Sequence, residues 1–492
     1  MKIFYFSKLI LICFLTAVTL PTNAQSWVPT GTVLNGESNQ DALGTAVSMN
    51  LDGTIMAVGV PLSNSTGIVQ VYMFEDDNWT PMGNPIGGAI AGERFGSSTS
   101  ISADGQTLIV GAYNNSAGHA YVFEWSGVDW AQKGSTLSGE NSDDFFGLGV
   151  DINADGTVIV VGAPLNDTNE FNAGFVGVYE WNGSDWSQRG ANLEGVEEYE
   201  EFGQTVAMSA DGNSIVIGSP FSFSVYRPGI TRIYEWSGST WIQKGVDIIG
   251  EGNTDHSGTS IDMTGSGETI AIGSSNNSHS TTFNAGHVRV FDWSGSAWTQ
   301  RGDDIDGDAS YDNSSDGLSM SDDGNTIASG APSNDGNGDK SGQVKIYKWD
   351  GSGWTQSGAD IYGTASGNEL GSAVALNGDG TMMCVGAPKF DSQKGQLLTY
   401  ALSESSAVYS VNKSISIEAF PNPTDGLLQI QLDGLNEMIS IVIYNSMGQQ
   451  AASYRFESTD RFTIEMPELA GFYFLEMKTD EGTQVVLNVL RR

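Results

Sequence analysis

From about Ser26 to Glu404 the chain repeats one pattern of short apolar segments divided by turn residues. In the third copy, Phe146 to Asn153 leads into Asp155-Gly156, a dipeptide suited to a two-residue hairpin with positive φ. Val158 to Gly162 follows as a largely apolar second strand and leaves through Ala163-Pro164. A variable loop, Leu165 to Ala173, precedes Gly174 and a third strand from Phe175 to Trp181. Asn182-Gly183-Ser184 turns the chain into a fourth strand, Trp186 to Leu193. Strands this short and this densely spaced exclude helical repeats. Four antiparallel strands in roughly fifty residues describe a propeller blade.

The pattern recurs on a regular beat. Asp-Gly pairs stand at Asp52, Asp104, Asp155, Asp211, Asp323 and Asp379, with Ser266-Gly267 in the fifth slot, at spacings of 51 to 57 residues. Trp27, Trp79, Trp130, Trp186, Trp241, Trp298 and Trp354 keep the same period, and the other five tryptophans lie five residues before the last five of these. The last copy has Leu370 to Asn377, Thr381 to Gly386 and Gln396 to Leu402, but no fourth strand with a tryptophan. That strand stands at the other end, where Trp27-Val28-Pro29-Thr30-Gly31 matches Trp130-Ala131-Gln132-Lys133-Gly134. The expectation is an all-β chain, a seven-bladed β-propeller whose N-terminal strand completes blade seven and leaves no open edge. A small C-terminal β-sandwich follows it.

The units resemble the FG-GAP family of propeller repeats. Phe95-Gly96, Phe146-Gly147 and Phe202-Gly203 match its first element; Gly162-Ala163-Pro164, Gly330-Ala331-Pro332 and Gly386-Ala387-Pro388 match its second. The fifth and sixth repeats depart, with Ser257 and Ser314 in the Phe slot, and looser packing is expected there. The resemblance implies a fold and no single function.

After a polar linker, 405–414, the repeat and the tryptophans stop. Strands are expected at Leu428 to Leu432, Ile439 to Tyr444 and Val485 to Leu490, so residues 415–492 read as the small sandwich. This tail resembles the type A C-terminal sorting domain of the type IX secretion system. The matching residues are Pro421, Asn422, Pro423 and Gly426 at its start, Gly448 after Tyr444-Asn445, Gly471 and Tyr473, and the basic end Arg491-Arg492. The resemblance implies export across the outer membrane of a bacterium of the Bacteroidota, with the secretion machinery as partner. It also implies that the tail is usually removed and the protein released or attached to surface polysaccharide.

The other end fits export. Lys2 and Lys8 precede an apolar run from Leu9 to Leu20, and Ala24 suits cleavage before Gln25, so residues 1–24 read as a signal peptide. The run is too short for a membrane span, and no later stretch approaches one. Cys13 lies inside it, where a lipidated cysteine would not stand. Without residues 1–24, 19 basic residues face 59 acidic ones, a net charge of −40. That balance argues against nucleic acid and anionic membranes. It favours solubility and cation binding. Cys384 is then the one cysteine, so no internal disulfide forms.

Candidate chemistry follows from the meander. Variable loops and blade connectors emerge on one face and the tight hairpins on the other, so specificity belongs to the loop face. Acidic connectors there include Glu140, Asp143 and Asp144, and Glu194, Glu197, Glu198, Glu200 and Glu201. Calcium takes six to eight oxygens, which alternate acidic positions supply. Asp335-x-Asn337-x-Asp339 in the sixth blade fits best, with Asp304-x-Asp306-x-Asp308 second. His119 and His287 share the strand-three slot held elsewhere by Ile68, Phe175, Ile230, Gln343 and Gln396, which marks a structural position. His256 and His279 have no partner at metal spacing. Cys384 fills a small apolar slot, and the repeated tryptophans read as packing between blades. Aromatics that break the repeat, Tyr113, Phe171, Phe221, Phe223, Tyr226 and Phe283, are the better ligand contacts.

No nucleophile or acid–base motif stands in the sequence. The expected function is a secreted or surface, non-enzymatic module that binds polysaccharide or a protein through its loop face. The alternatives are a polysaccharide hydrolase or lyase built from carboxylates of different blades near the channel, and an envelope scaffold.

Overall fold

A computed structural model describes residues 25–222, 227–279, 281–404, 416–420, 426–433, 439–445, 450–456, 461–467, 469, 471–479 and 484–491. The expected signal segment with Ala24, the expected linker, Phe223 and Tyr226 lie outside them. Ser26–Ser403 forms one compact unit, and the tail belongs to another.

Seven antiparallel sheets, one per repeat, make up the first unit. In blade three the strands are Val150–Ile152, Val158–Ala163, Phe175–Trp181 and Trp186–Gln188, with a short Leu193–Glu194 strand pairing back onto the third. Every residue of the second strand is buried, which is why it reads as a continuous apolar run. The structure differs from the sequence reading in three details, the first being that the opening strand begins at Val150 and not at Phe146. Asn153 N–H donates to the Val158 carbonyl and Gly156 N–H to Asn153, so the turn is a four-residue loop in which Gly156, at φ 69°, alone turns left-handed. The fourth strand breaks in two at Gly190, at φ 86°, where a Cβ would meet Trp236 at 2.9 Å and Trp241 at 3.0 Å.

Blade seven is closed by the chain start. Gln25–Pro29 pairs with Gln396–Glu404, Thr30 N–H donates to the Thr399 carbonyl at 2.9 Å, and Leu34 lies opposite Leu397.

Three devices tie the blades together. The first explains the repeated glycines: a Cβ on Gly162 would lie 1.9 Å from the Gly203 carbonyl oxygen, and on Gly386 2.0 Å from that of Gly44. Backbone meets backbone there, and no side chain fits. The second is the outer tryptophan. Trp186, Trp241, Trp298 and Trp354 donate Nε1–H to the carbonyls of Lys133, Arg189, Lys244 and Arg301 in the preceding blade, at 2.8 to 3.0 Å. The closing Trp27 has no such partner. The third is a belt on the hairpin face. Leu51, Ala103, Ala154 and Ala210 each donate N–H to the next blade's carbonyl at 2.9 to 3.2 Å. Gly265 donates to Asp322 Oδ1 at 2.7 Å, Asp322 to Gly378, and Gly378 back to Leu51, which closes the circle. In the two departing repeats Ser257 and Ser314 are buried; Arg289 reaches Ser257 Oγ at 3.4 Å, and Ser314 bonds Ser329.

The tail holds a three-stranded sheet, Ser416–Phe420, Leu427–Asp433 and Arg461–Glu465. Its four-stranded sheet comprises Gln450–Phe456, Ile439–Asn445, Gly471–Thr479 and Gln484–Arg491. Leu428, Ile430 and Ile464 from the first meet Ile441, Ile443 and Leu475 from the second in one core.

Candidate functional site on the loop face

Connectors and variable loops are joined backbone to backbone. Leu165 N–H donates to Asp144, Tyr199 to Phe171 and Tyr311 to Phe283, the last two at 2.8 Å. Each connector turns around one buried polar residue, for example Asp41, Glu93, Asp144, Glu200 and Asp255. Their carboxylates accept connector N–H groups, as from Asn141 to Asp144 at 2.7 Å and Val196 to Glu200 at 2.6 Å. Asp144 and Glu200 are therefore structural caps, and Glu200 also pairs with the buried Arg232. Residues on either side of the cap take positive φ, including Asp143 and Phe145, and Tyr199 and Glu201. This conformation recurs from blade to blade and belongs to the fold.

What does not recur is the side chain placed there. Phe171 packs edge-on against Tyr199 with centroids 5.2 Å apart, and both are exposed. Tyr113 meets Phe145 at 5.2 Å, with the Arg94 guanidinium 5.8 Å from the Tyr113 ring. Phe221 meets His256 at 4.9 Å. Phe283 and Tyr311 are 62% and 63% exposed. Successive blades, two to five, thus each present a loop aromatic beside a connector residue. The variable-loop members were expected; Phe145, Tyr199 and Tyr311 were missed, because the connectors were read for their acids.

Each residue of the sixth-blade run has its own partner. Asp335 Oδ1 accepts Lys340 N–H, Asn337 Nδ2 donates to the Gly363 carbonyl, and the Asp339 carbonyl accepts Gly367 N–H, all at 2.8 Å. The second run splits as well. Asp304 faces His287, Asp306 lies 4.0 Å from His279, and Asp308 pairs with Lys345. Cys384 is fully buried, and burial pushes its thiol up to about 12, which removes it as a nucleophile.

The central channel, of about 350 Å³, is lined by the inner strands and includes Ser100, Asp151, Asp262 and Ser319. Asp151 accepts the Ser100 hydroxyl at 2.6 Å and the Met208 N–H at 2.7 Å; Asp262 accepts the Met320 N–H at 2.7 Å. Although each side chain touches the channel, its carboxyl is hemmed in by neighbouring blades. Desolvation raises Asp151 to about 6 and Asp262 to about 7. Both were missed, although each places an acid in an inner-strand slot held elsewhere by Ser48, Ser100, Ala207, Ser319 and Ala375.

Residues 418–489 match the family model of the secretion system C-terminal sorting domain. The tail carries a type IX sorting domain. The protein is therefore exported by type IX secretion, to the cell surface or the extracellular space. Of its sorting residues, Tyr473 is buried in the sandwich core with its hydroxyl donating to the Leu469 carbonyl at 2.8 Å. Gly471 opens the same strand, and Gly426 precedes the Leu427–Asp433 strand at φ 134°. Pro421, Asn422, Pro423 and Gly448 lie outside the described residues. No curated protein matches the chain by sequence. Among solved structures, the chain is similar to hydrazine synthase of Kuenenia stuttgartiensis, with 12% identity, a TM-score of 0.49, and 74% of this chain and 96% of that one covered. It is also similar to the periplasmic gluconolactonase of Pseudomonas aeruginosa, with 12% identity, a TM-score of 0.47, and 70% and 96% covered. Among the described residues, no helix is long and apolar enough to cross a membrane.

Proposed function

We propose that the propeller is a non-enzymatic binding module that recognises polysaccharide through its loop face. The observation that carries this reading is the run of aromatic residues on adjacent blades, seated at positions the fold does not require to be aromatic. Exposed flat rings stack on the apolar faces of sugars, and nearby acids and amides bond their hydroxyls. A protein partner on the same surface is the variant of this reading that a glycan screen separates. The Phe-Gly and Gly-Ala-Pro elements support kinship with FG-GAP propellers. Calcium at Asp335, Asn337 and Asp339 rests on alternate oxygen donors in an exposed loop. Calcium raising the thermal midpoint, with the rise lost in Asp335→Ala/Asp339→Ala, tests it.

The test of the main reading is a glycan array with product analysis, repeated with Phe171→Ala and with Phe283→Ala/Tyr311→Ala. Binding without turnover, weakened at least tenfold by the variants, is expected; turnover of a bound glycan overturns it. One observation favours a hydrolase or lyase: the channel carboxyls Asp151 and Asp262, both raised into the range useful for proton transfer. Activity lost in Asp151→Asn and Asp262→Asn, with folding intact, is that reading's requirement.

A further inference from the structure

Blade five holds a buried imidazole without a hydrogen bond. His287 is 1% exposed; Nε2 has no hydrogen-bond partner, and Nδ1 has only the Asp304 carboxylate before it, at 3.6 Å. A buried polar group left so is costly, and native structures avoid it. Its surroundings show why the gap is specific. Asp304 Oδ1 is occupied by the Gln300 amide at 2.7 Å, while Oδ2 faces His287 Nδ1 at 3.6 Å, too far for a hydrogen bond. Glu251, exposed on the preceding connector, brings a carboxylate oxygen to the same place, and the three ligand atoms lie within 4.8 Å of one another.

The neighbouring blade shows the ordinary solution of these slots. There Gln356 holds Asp360 Oδ1 at 2.7 Å, and Gln343 donates directly to Asp360 Oδ2 at 3.0 Å. Gln343 and Asp360 are the counterparts of His287 and Asp304, each pair joining the third strand to the short fifth one. Blade five therefore keeps the acid and its glutamine clamp but exchanges a self-sufficient amide for an imidazole that lacks a partner.

We infer that His287, Asp304 and Glu251 form a site for a divalent transition-metal ion of the zinc class on the loop-face rim of blade five. One imidazole nitrogen and two carboxylate oxygens are a donor set that zinc accepts. Ligand atoms of tetrahedral zinc stand roughly 3.3 Å apart. His287 and Asp304 are near that separation, and the exposed Glu251 side chain swings to close the rest. Electrostatics agree. Arg289 is the cation nearby, 3.8 Å from Glu251, and Asp255, Asp304, Asp306 and Glu251 outweigh it. Three donors leave room for a fourth, and because Glu251 is exposed, water, a sugar hydroxyl or a carboxylate completes the shell.

The test titrates the full exported chain, stripped with chelator, with zinc by calorimetry and with cobalt(II) by absorption. One zinc per chain is expected, with a tetrahedral cobalt spectrum. His287→Gln recreates the blade-six arrangement, so in chelator it should fold with a midpoint no lower than that of the unsubstituted chain, and it should lose the ion. Asp304→Asn, at a partly exposed position, should weaken binding at least tenfold, and Asp335→Ala should leave it intact. Absence of saturable zinc uptake overturns the proposal, as does uptake unchanged in both His287→Gln and Asp304→Asn.

Discussion

The two faces of the propeller are made by the same repeat under opposite rules. On the hairpin face each blade nearly repeats the last: Asp-Gly turns in six blades and Ser-Gly in the fifth, and a circle of hydrogen bonds from Leu51 back to Leu51. On the loop face the backbone repeats as well, with a buried cap between left-handed residues, but the side chains carried there change with every blade. One face thus specifies closure and the other is free to vary. Repetition marks what the fold needs, and departures from it mark where recognition can reside.

The largest effect expected from breaking this comparison is at the glycine contacts between blades. Gly162→Ala drives a methyl into the Gly203 carbonyl and should cost about 3 kcal/mol or more, read as a lowered urea midpoint or loss of soluble protein. Next comes the tryptophan latch. Trp241→Phe should cost about 1 kcal/mol more than Trp27→Phe, because only Trp241 donates a hydrogen bond across blades. Paired denaturation curves measure the difference.

Asp151 and Asp262 sharpen the comparison through pH. Their folded pKa values lie above those of an unfolded chain, so between about pH 4 and 7 the folded state holds protons that the unfolded one has released. Their contribution to stability should fall as pH rises through that window. Asp151→Asn/Asp262→Asn should flatten the slope of thermal midpoint against pH. The smallest effect belongs to the loop face. Phe171→Ala, at 50% exposure, should change stability by no more than about 0.5 kcal/mol while weakening glycan binding.

Much of the fold was legible because blade positions are set by local turn chemistry and by alternation. Trp27 could be matched to Trp130, and with it the split blade, from sequence alone. The four-residue turn at Asp155 and the break at Gly190 were not legible. The first depends on which pair closes the hairpin, the second on tryptophans of the next blade. The proposed site was half legible. Tyr113, Phe171, Phe221 and Phe283 stood out by breaking the repeat, while Tyr199 and Tyr311 hid in connectors dominated by acids. His287, on which the metal proposal turns, was read from its slot alone. Slot equivalence with Gln343 marked it as structural, yet the two residues treat their facing aspartates differently. That difference lies in one donor atom across two strands, which spacing along the chain does not encode.

The split seventh blade has a consequence in time. Thr30 and Thr399, which clasp across the closing sheet, are 369 residues apart. A chain emerging from its N-terminus holds its first strand as an unpaired edge until the last repeat arrives, and contacts of such high order form slowly. Six blades can stack before that, but the circle cannot lock. The strand that locks it, Gln396–Glu404, immediately precedes the linker to the sorting tail. Closure and exposure of the export address thus come at nearly the same moment, and a chain truncated before Gln396 would lack both.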